Sequence, residues 1–100
     1  MKRIVLTDAV QKDLDDIWFY IARQSGNIAP AEQVIKRLHA TIVTLANNPD
    51  IGRPCSEDID PNGRWFPVNN YILYYRAETR RIIFTHIFDG RRNQSDAWRK

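Results

Sequence analysis

The chain is poor in the residues that build small stapled or metal-held domains. Cys55 is its single cysteine, so no internal disulfide can form and no thiolate cluster can hold a metal. One free thiol fits a reducing compartment, and a cytoplasmic protein is expected. His39 and His86 are the two histidines, too few for a zinc site without carboxylate help. No apolar run approaches the roughly 20 residues that a membrane span needs, so no membrane partner is expected. The first residues, Met1-Lys2-Arg3-Ile4-Val5-Leu6-Thr7-Asp8, turn polar after three apolar positions and do not read as a signal peptide. Repeats and low-complexity tracts are absent, and nothing calls for a cofactor. Lysine is also missing from the whole stretch between Arg37 and Lys100.

What is present is one domain's worth of ordinary globular sequence. One hundred residues suffice for a single domain over 1–100, and the 43% hydrophobic content supports a core. A domain this small is marginal, so a bound partner could supply much of its working stability. Charge is unevenly placed. Residues 1–63 hold seven Lys/Arg against nine Asp/Glu, a net −2, whereas residues 64–100 hold eight against three, a net +5. Seven of those eight are arginine, whose planar fork suits phosphate or carboxylate.

Hydrophobic spacing predicts the elements. Arg3 to Leu6 is short and β-branched, a strand. Thr7 or Asp8 then caps a helix whose stripe is Val10, Leu14, Ile17, Trp18 and Ile21, and Ser25-Gly26-Asn27 stops it. A second helix starts near Ala29-Pro30, carries Ala31, Val34, Leu38, Ile42 and Leu45, and ends at Asn47-Asn48-Pro49. Residues 49–63, with three prolines and two glycines, read as a long loop. Three strands follow: Arg64 to Val68, Tyr71 to Arg76 and Arg81 to Phe88. Asn69-Asn70 makes the first turn, because asparagine tolerates positive φ. Pro67 cannot donate to a ladder, which puts its strand at an edge or a bulge. The last strand alternates Ile82, Phe84, His86 and Phe88 with Ile83, Thr85 and Ile87, apolar on both faces and therefore central. The expected fold is α+β, in the order β-α-α-β-β-β, an antiparallel twisted sheet with a helical hairpin on one face.

Several segments together resemble the ParE/RelE-like toxins, also called plasmid-stabilisation proteins. They are Leu6-Thr7-Asp8-Ala9, Asp13-Leu14-Asp15-Asp16-Ile17-Trp18-Phe19-Tyr20-Ile21, Leu45-Ala46-Asn47-Asn48-Pro49, Gly52-Arg53, Arg64-Trp65-Phe66-Pro67-Val68, Tyr71-Ile72-Leu73-Tyr74-Tyr75-Arg76 and Ile87-Phe88-Asp89-Gly90-Arg91-Arg92-Asn93. Each is weak alone; their order and spacing are specific. The resemblance implies the toxin of a type II toxin–antitoxin pair, with a cognate antitoxin as partner. It divides by mechanism. ParE-like members inhibit DNA gyrase, whereas RelE-like members are ribosome-dependent mRNA endoribonucleases.

Resemblance to RelE-like members would place a phosphate-stabilising arginine at Arg92 and a C-terminal tyrosine at Trp98. An indole N–H donates a hydrogen bond but neither gives nor takes a proton usefully. Arginine stays protonated and is a poor base. His86 lies on an apolar strand face and reads as packing. His39 has no assigned role, and Cys55 sits in an acidic loop without a histidine neighbour. The reading is therefore binding rather than catalysis, with no catalytic residue. Arg64, Arg76, Arg91 and Arg92 are expected to form one basic surface that meets gyrase. The resemblance also implies an apolar groove for the antitoxin, with Trp18, Tyr20, Ile21, Val34 and Leu38 as its expected lining. A third reading, a nucleic-acid-binding module, rests on the basic half with Trp65, Tyr71, Tyr74 and Tyr75 interleaved.

Overall fold

The computed structural model describes residues 1–56 and 60–90. Among them the chain forms β1 (Arg3–Leu6), α1 (Asp8–Ser25), α2 (Ile28–Asn47), a 3-10 turn (Pro49–Ile51), β2 (Arg53–Pro54), β3 (Arg64–Val68), β4 (Tyr71–Ala77) and β5 (Arg81–Asp89). The sheet order is β1-β5-β4-β3-β2. The strands from β2 to β5 pair antiparallel, as expected of a meander. The first strand does not follow. β1 runs parallel to β5, Arg3 opposite Arg81 and Leu6 opposite Phe84, so the sheet is mixed. The connection from β1 to β5 runs through the helical hairpin and the other strands, ample for a parallel pairing, and β1 closes the free edge of β5. That pairing makes β5 an interior strand.

Local chemistry sets the boundaries. Thr7 is extended at φ −67° and ψ 163°, and its hydroxyl accepts from the Val10 N–H, an N-cap. Gly26, at φ 67°, ends α1 in the left-handed region. The Asn27 side chain accepts from Ala29 N and starts α2. Asn69 takes φ 55° in the β3–β4 turn. Pro67 lies beyond the two-residue reach of β2, so its missing donor faces an unpaired stretch of β3.

Both helices lie on one face of the sheet. Their stripes bury Val10, Leu14 and Ile17 of α1 and Leu38, Ile42 and Leu45 of α2 against Leu73, Tyr75, Ile82, Phe84 and Ile87. A bulge decides which β5 residues join that core. Tyr74 pairs with His86 but Tyr75 pairs with Phe84, which leaves Thr85 as the extra residue. Strict alternation would have set His86 beside Ile82 and Phe84. Instead the phase reverses at Thr85. Ile87 enters the core, and His86 turns away to stack on Phe88 with ring centroids 5.3 Å apart.

The segment read as a loop is pinned rather than free. Buried Tyr75 donates its phenol O–H to the Pro49 carbonyl at 2.7 Å and accepts from Gly52 N at 3.0 Å. A Cβ on Gly52 would lie 2.8 Å from two Tyr75 ring atoms. Only glycine fits there, for reasons of space and not of backbone angle. Farther along, Asp60 is buried and accepts from both Nε and Nη2 of Arg76 at 3.0 Å.

Candidate functional site

Beyond Leu6, β1 no longer covers the edge of β5. Helix α1 takes over that edge. The Asp13 carboxylate accepts the Ile87 N–H at 3.1 Å, and the Thr7 hydroxyl donates to the Thr85 carbonyl at 3.3 Å. Burial pushes the Asp13 carboxyl above its ordinary range, opposed by the Ile87 hydrogen bond and then by the charge of His86. Between this part of α1 and the ends of β4 and β5 runs a cleft of about 320 Å³, lined by Asp13, Asp16, Ile17, Tyr71, Ile87, Phe88 and Asp89. A neighbouring hollow extends it to Tyr20. Its walls are apolar and aromatic with a carboxylate rim. A second groove, about 270 Å³, lies across the helical hairpin and is lined by Gln11, Leu14, Asp15, Trp18, Ile35 and His39.

Residues 4–94 match the family described as ParE toxin of type II toxin-antitoxin system, parDE. The chain belongs to the ParE toxin family. A Toxin ParE1 of Mycobacterium tuberculosis is 36% identical over 75 residues, 75% of this chain and 74% of the relative. A Toxin ParE1 of Caulobacter vibrioides is 31% identical over 80% of this chain and 81% of its own length. A chain from the structure titled "Chromosomal ParDE TA system from P. aeruginosa" superposes with TM-score 0.77, covering 89% of this chain and 96% of that one. At 19% identity that likeness speaks for the fold. This ParE-family chain therefore is a toxin of the type II toxin–antitoxin class, and not merely a bearer of the shared α+β fold.

The five residues expected to line one groove are distributed in the folded chain. Trp18 faces the groove across the hairpin, whereas Tyr20 reaches the cleft beside the sheet. Ile21 and Val34 are half-buried against the core. Leu38 is fully buried, 0% exposed, and can touch no partner while the fold is intact. It is core because it sits at the centre of the α2 stripe, over the sheet. Phe19, absent from the expectation, is 60% exposed and packs edge-on against Trp18 at 5.2 Å; Tyr20 is 53% exposed. The available signal was that Phe19 is a large aromatic off the α1 stripe, where a core has no use for it.

Of the expected basic residues, the two described ones, Arg64 and Arg76, lie on opposite faces of the sheet. Arg64 pairs across the ladder with Tyr75, on the helix-covered side, and its guanidinium donates to the Gly52 carbonyl at 2.7 Å. Arg76 pairs with Ile83 and is clamped by Asp60, whose hydrogen bond and charge raise its pKa further. The two guanidinium groups thus hold the 49–63 segment from different sides. Arg91, Arg92 and Trp98 lie outside the described residues. Cys55 is half-buried, and burial pushes its thiol pKa up, away from the reactive thiolate. Among the described residues no helix is long and apolar enough to cross a membrane.

Proposed function

We propose that this toxin inhibits DNA gyrase and that a cognate antitoxin neutralises it in the cytoplasm. The observation that carries the reading is the match to ParE toxins over residues 4–94. The chemistry of the described site supports binding over RNA cleavage. Tyr75 is committed to Pro49 and Gly52, and burial raises its pKa, so it is not available as a proton donor. The arginines stay protonated at any working pH. Arg91, Arg92 and Arg76 are the residues assigned to the target, and Arg64 supports them by fixing the Gly52 turn. For the antitoxin, the exposed pair Phe19 and Tyr20 and the adjoining cleft offer an apolar seat with an acidic rim, suited to an amphipathic segment carrying basic residues.

The test is a pair of assays on purified toxin. One follows gyrase supercoiling and trapped cleaved DNA; the other follows mRNA in a translating extract. Lost supercoiling with intact mRNA is expected, and cut mRNA with normal gyrase would overturn the proposal. Arg91→Ala with Arg92→Ala should abolish growth arrest in a protein that still folds. Tyr20→Ala should weaken antitoxin binding about tenfold or more, as a truncated aromatic anchor does.

A further inference from the structure

The helical hairpin has an outer side, turned away from the sheet, that none of the described residues covers. The groove along it is lined by Gln11, Leu14, Asp15, Trp18, Ile35 and His39. Because α1 and α2 run antiparallel, this lining sets their register: Trp18 is level with Ile35, and Asp15 with His39. Exposed apolar side chains gather on the same side. On α2, Ile28, Ile35, His39 and Val43 recur at steps of seven, four and four, and so share a face. Ile28 is 55% and Val43 45% exposed, although the α2 core stripe is already complete on the opposite side through Leu38, Ile42 and Leu45. Half-buried Trp18, with Phe19 edge-on against it, continues the strip on α1.

Charge says what fits this face. Asp15 and Arg23 of α1, and Glu32 and Lys36 of α2, are exposed and form no ion pair among the described residues. Their order is reversed in sign between the helices. Nearest the joint, α1 carries Arg23 and α2 carries Glu32. Farther along, α1 carries Asp15 and α2 carries Lys36. A second copy turned about a two-fold axis parallel to the helices sets its α1 over α2 of the first, level for level. Arg23 then meets Glu32, Asp15 meets Lys36, and Trp18 and Phe19 meet Ile35, each contact occurring twice by symmetry. A face about 27 Å long and two helices wide contributes roughly 500 Å² per copy, or about 1,000 Å² in total. That is the lower bound for specific association and corresponds to a Kd of about 1–100 μM.

We propose that the toxin, free of its antitoxin, pairs with a second copy of itself through the outer face of the hairpin, α1 of each copy lying on α2 of the other. This goes beyond gyrase inhibition and stands independently of it. Phe19 borders both this face and the seat assigned to the antitoxin, so the dimer belongs to the toxin alone. The experiment is analytical ultracentrifugation of the full-length toxin at about 1–100 μM and low salt. The weight-average mass is expected to climb from that of one chain toward that of two. Asp15→Lys and Lys36→Glu change exposed side chains, and circular dichroism should show each variant folded. Each reversal alone should weaken pairing about tenfold, since symmetry applies it twice. Both reversals in one chain restore the complementarity and should return the Kd to within about threefold of wild type. A toxin that stays monomeric up to about 100 μM would overturn the proposal and leave the hairpin face to the antitoxin or another partner. Dimerisation untouched by either single reversal, or not restored by the double one, would overturn the assignment to this face. None of these outcomes bears on supercoiling, so the gyrase reading stands or falls separately.

Discussion

The two faces of the sheet solve opposite problems. On the covered face, Leu73, Tyr75, Ile82, Phe84 and Ile87 meet the helices, and the polar atoms among them find fixed partners. Tyr75 is the clearest case, fully buried yet with its phenol oxygen both donating and accepting. On the face away from the helices, Arg3 stands opposite Arg81 and Arg53 lies over Trp65. The covered face is apolar core, whereas the other face buries Ile72 and Tyr74 among arginines, two of which pair with Asp60 and Glu78. One residue, Thr85, marks where β5 passes its side chains from one regime to the other.

The largest break of that contrast should come from Gly52. Gly52→Ala drives a methyl into the Tyr75 ring and displaces the 3-10 turn from the core. A loss of about 3 kcal/mol or more is expected, as in overpacked cores, measured by chemical denaturation. An unchanged midpoint would show that the 49–54 segment is not coupled to the core.

An intermediate effect belongs to Asp13, which seals the β5 edge. Asp13→Ala leaves the Ile87 N–H without its acceptor and should cost about 1–3 kcal/mol. Asp13→Asn keeps an acceptor oxygen and removes the partly buried charge. Because the folded carboxyl titrates above its unfolded value near 3.9, the native state holds the proton more tightly. Its contribution is favourable below the unfolded pKa and is lost as pH rises through the folded one. The asparagine variant should thus compare best with wild type at neutral pH, its relative stability declining toward about pH 4. Melting curves across that range decide it; a pH-independent difference would remove the charge from the account.

The smallest effect is expected at Arg3, on the face away from the helices. Arg3→Ala should stay within about 0.5 kcal/mol of wild type, on the stabilising side, since it relieves a like-charge pair. A clear destabilisation in thermal melts would mean that Arg3 serves the fold, and the contrast between the faces would narrow.

Local signals were legible in the linear chain. The Thr7 cap, the Gly26 stop, the Asn69 turn and the two stripes centred on Leu14 and Leu38 follow from side-chain chemistry within a few residues. The residues assigned to the site were less so. Period and charge identify which side chains are apolar or cationic, but they do not say what lies across from them. Leu38 and Phe19 have similar hydrophobicity. The stripe carries one into the core and leaves the other outside. Arg64 and Arg76 look equivalent in sequence, yet one meets backbone carbonyls on the covered side and the other meets Asp60.

By itself the sequence determined the two helices and four of the strands in their order, the interior place of β5, the capped ends of α1 and the family to which the chain belongs; the short β2 inside the segment read as a loop was not among them. Each rests on short-range periodicity or on an ordered series of motifs, which survive without knowledge of distant contacts. Only the tertiary structure decided that β1 joins in parallel, that Thr85 is bulged, that Tyr75 anchors the Gly52 turn, and that Asp13 takes the place of a strand at the edge of β5. Those features pair groups far apart in the chain. A single extra residue in one strand reverses every side chain beyond it, because alternation has a period of two and carries no memory of which face came first.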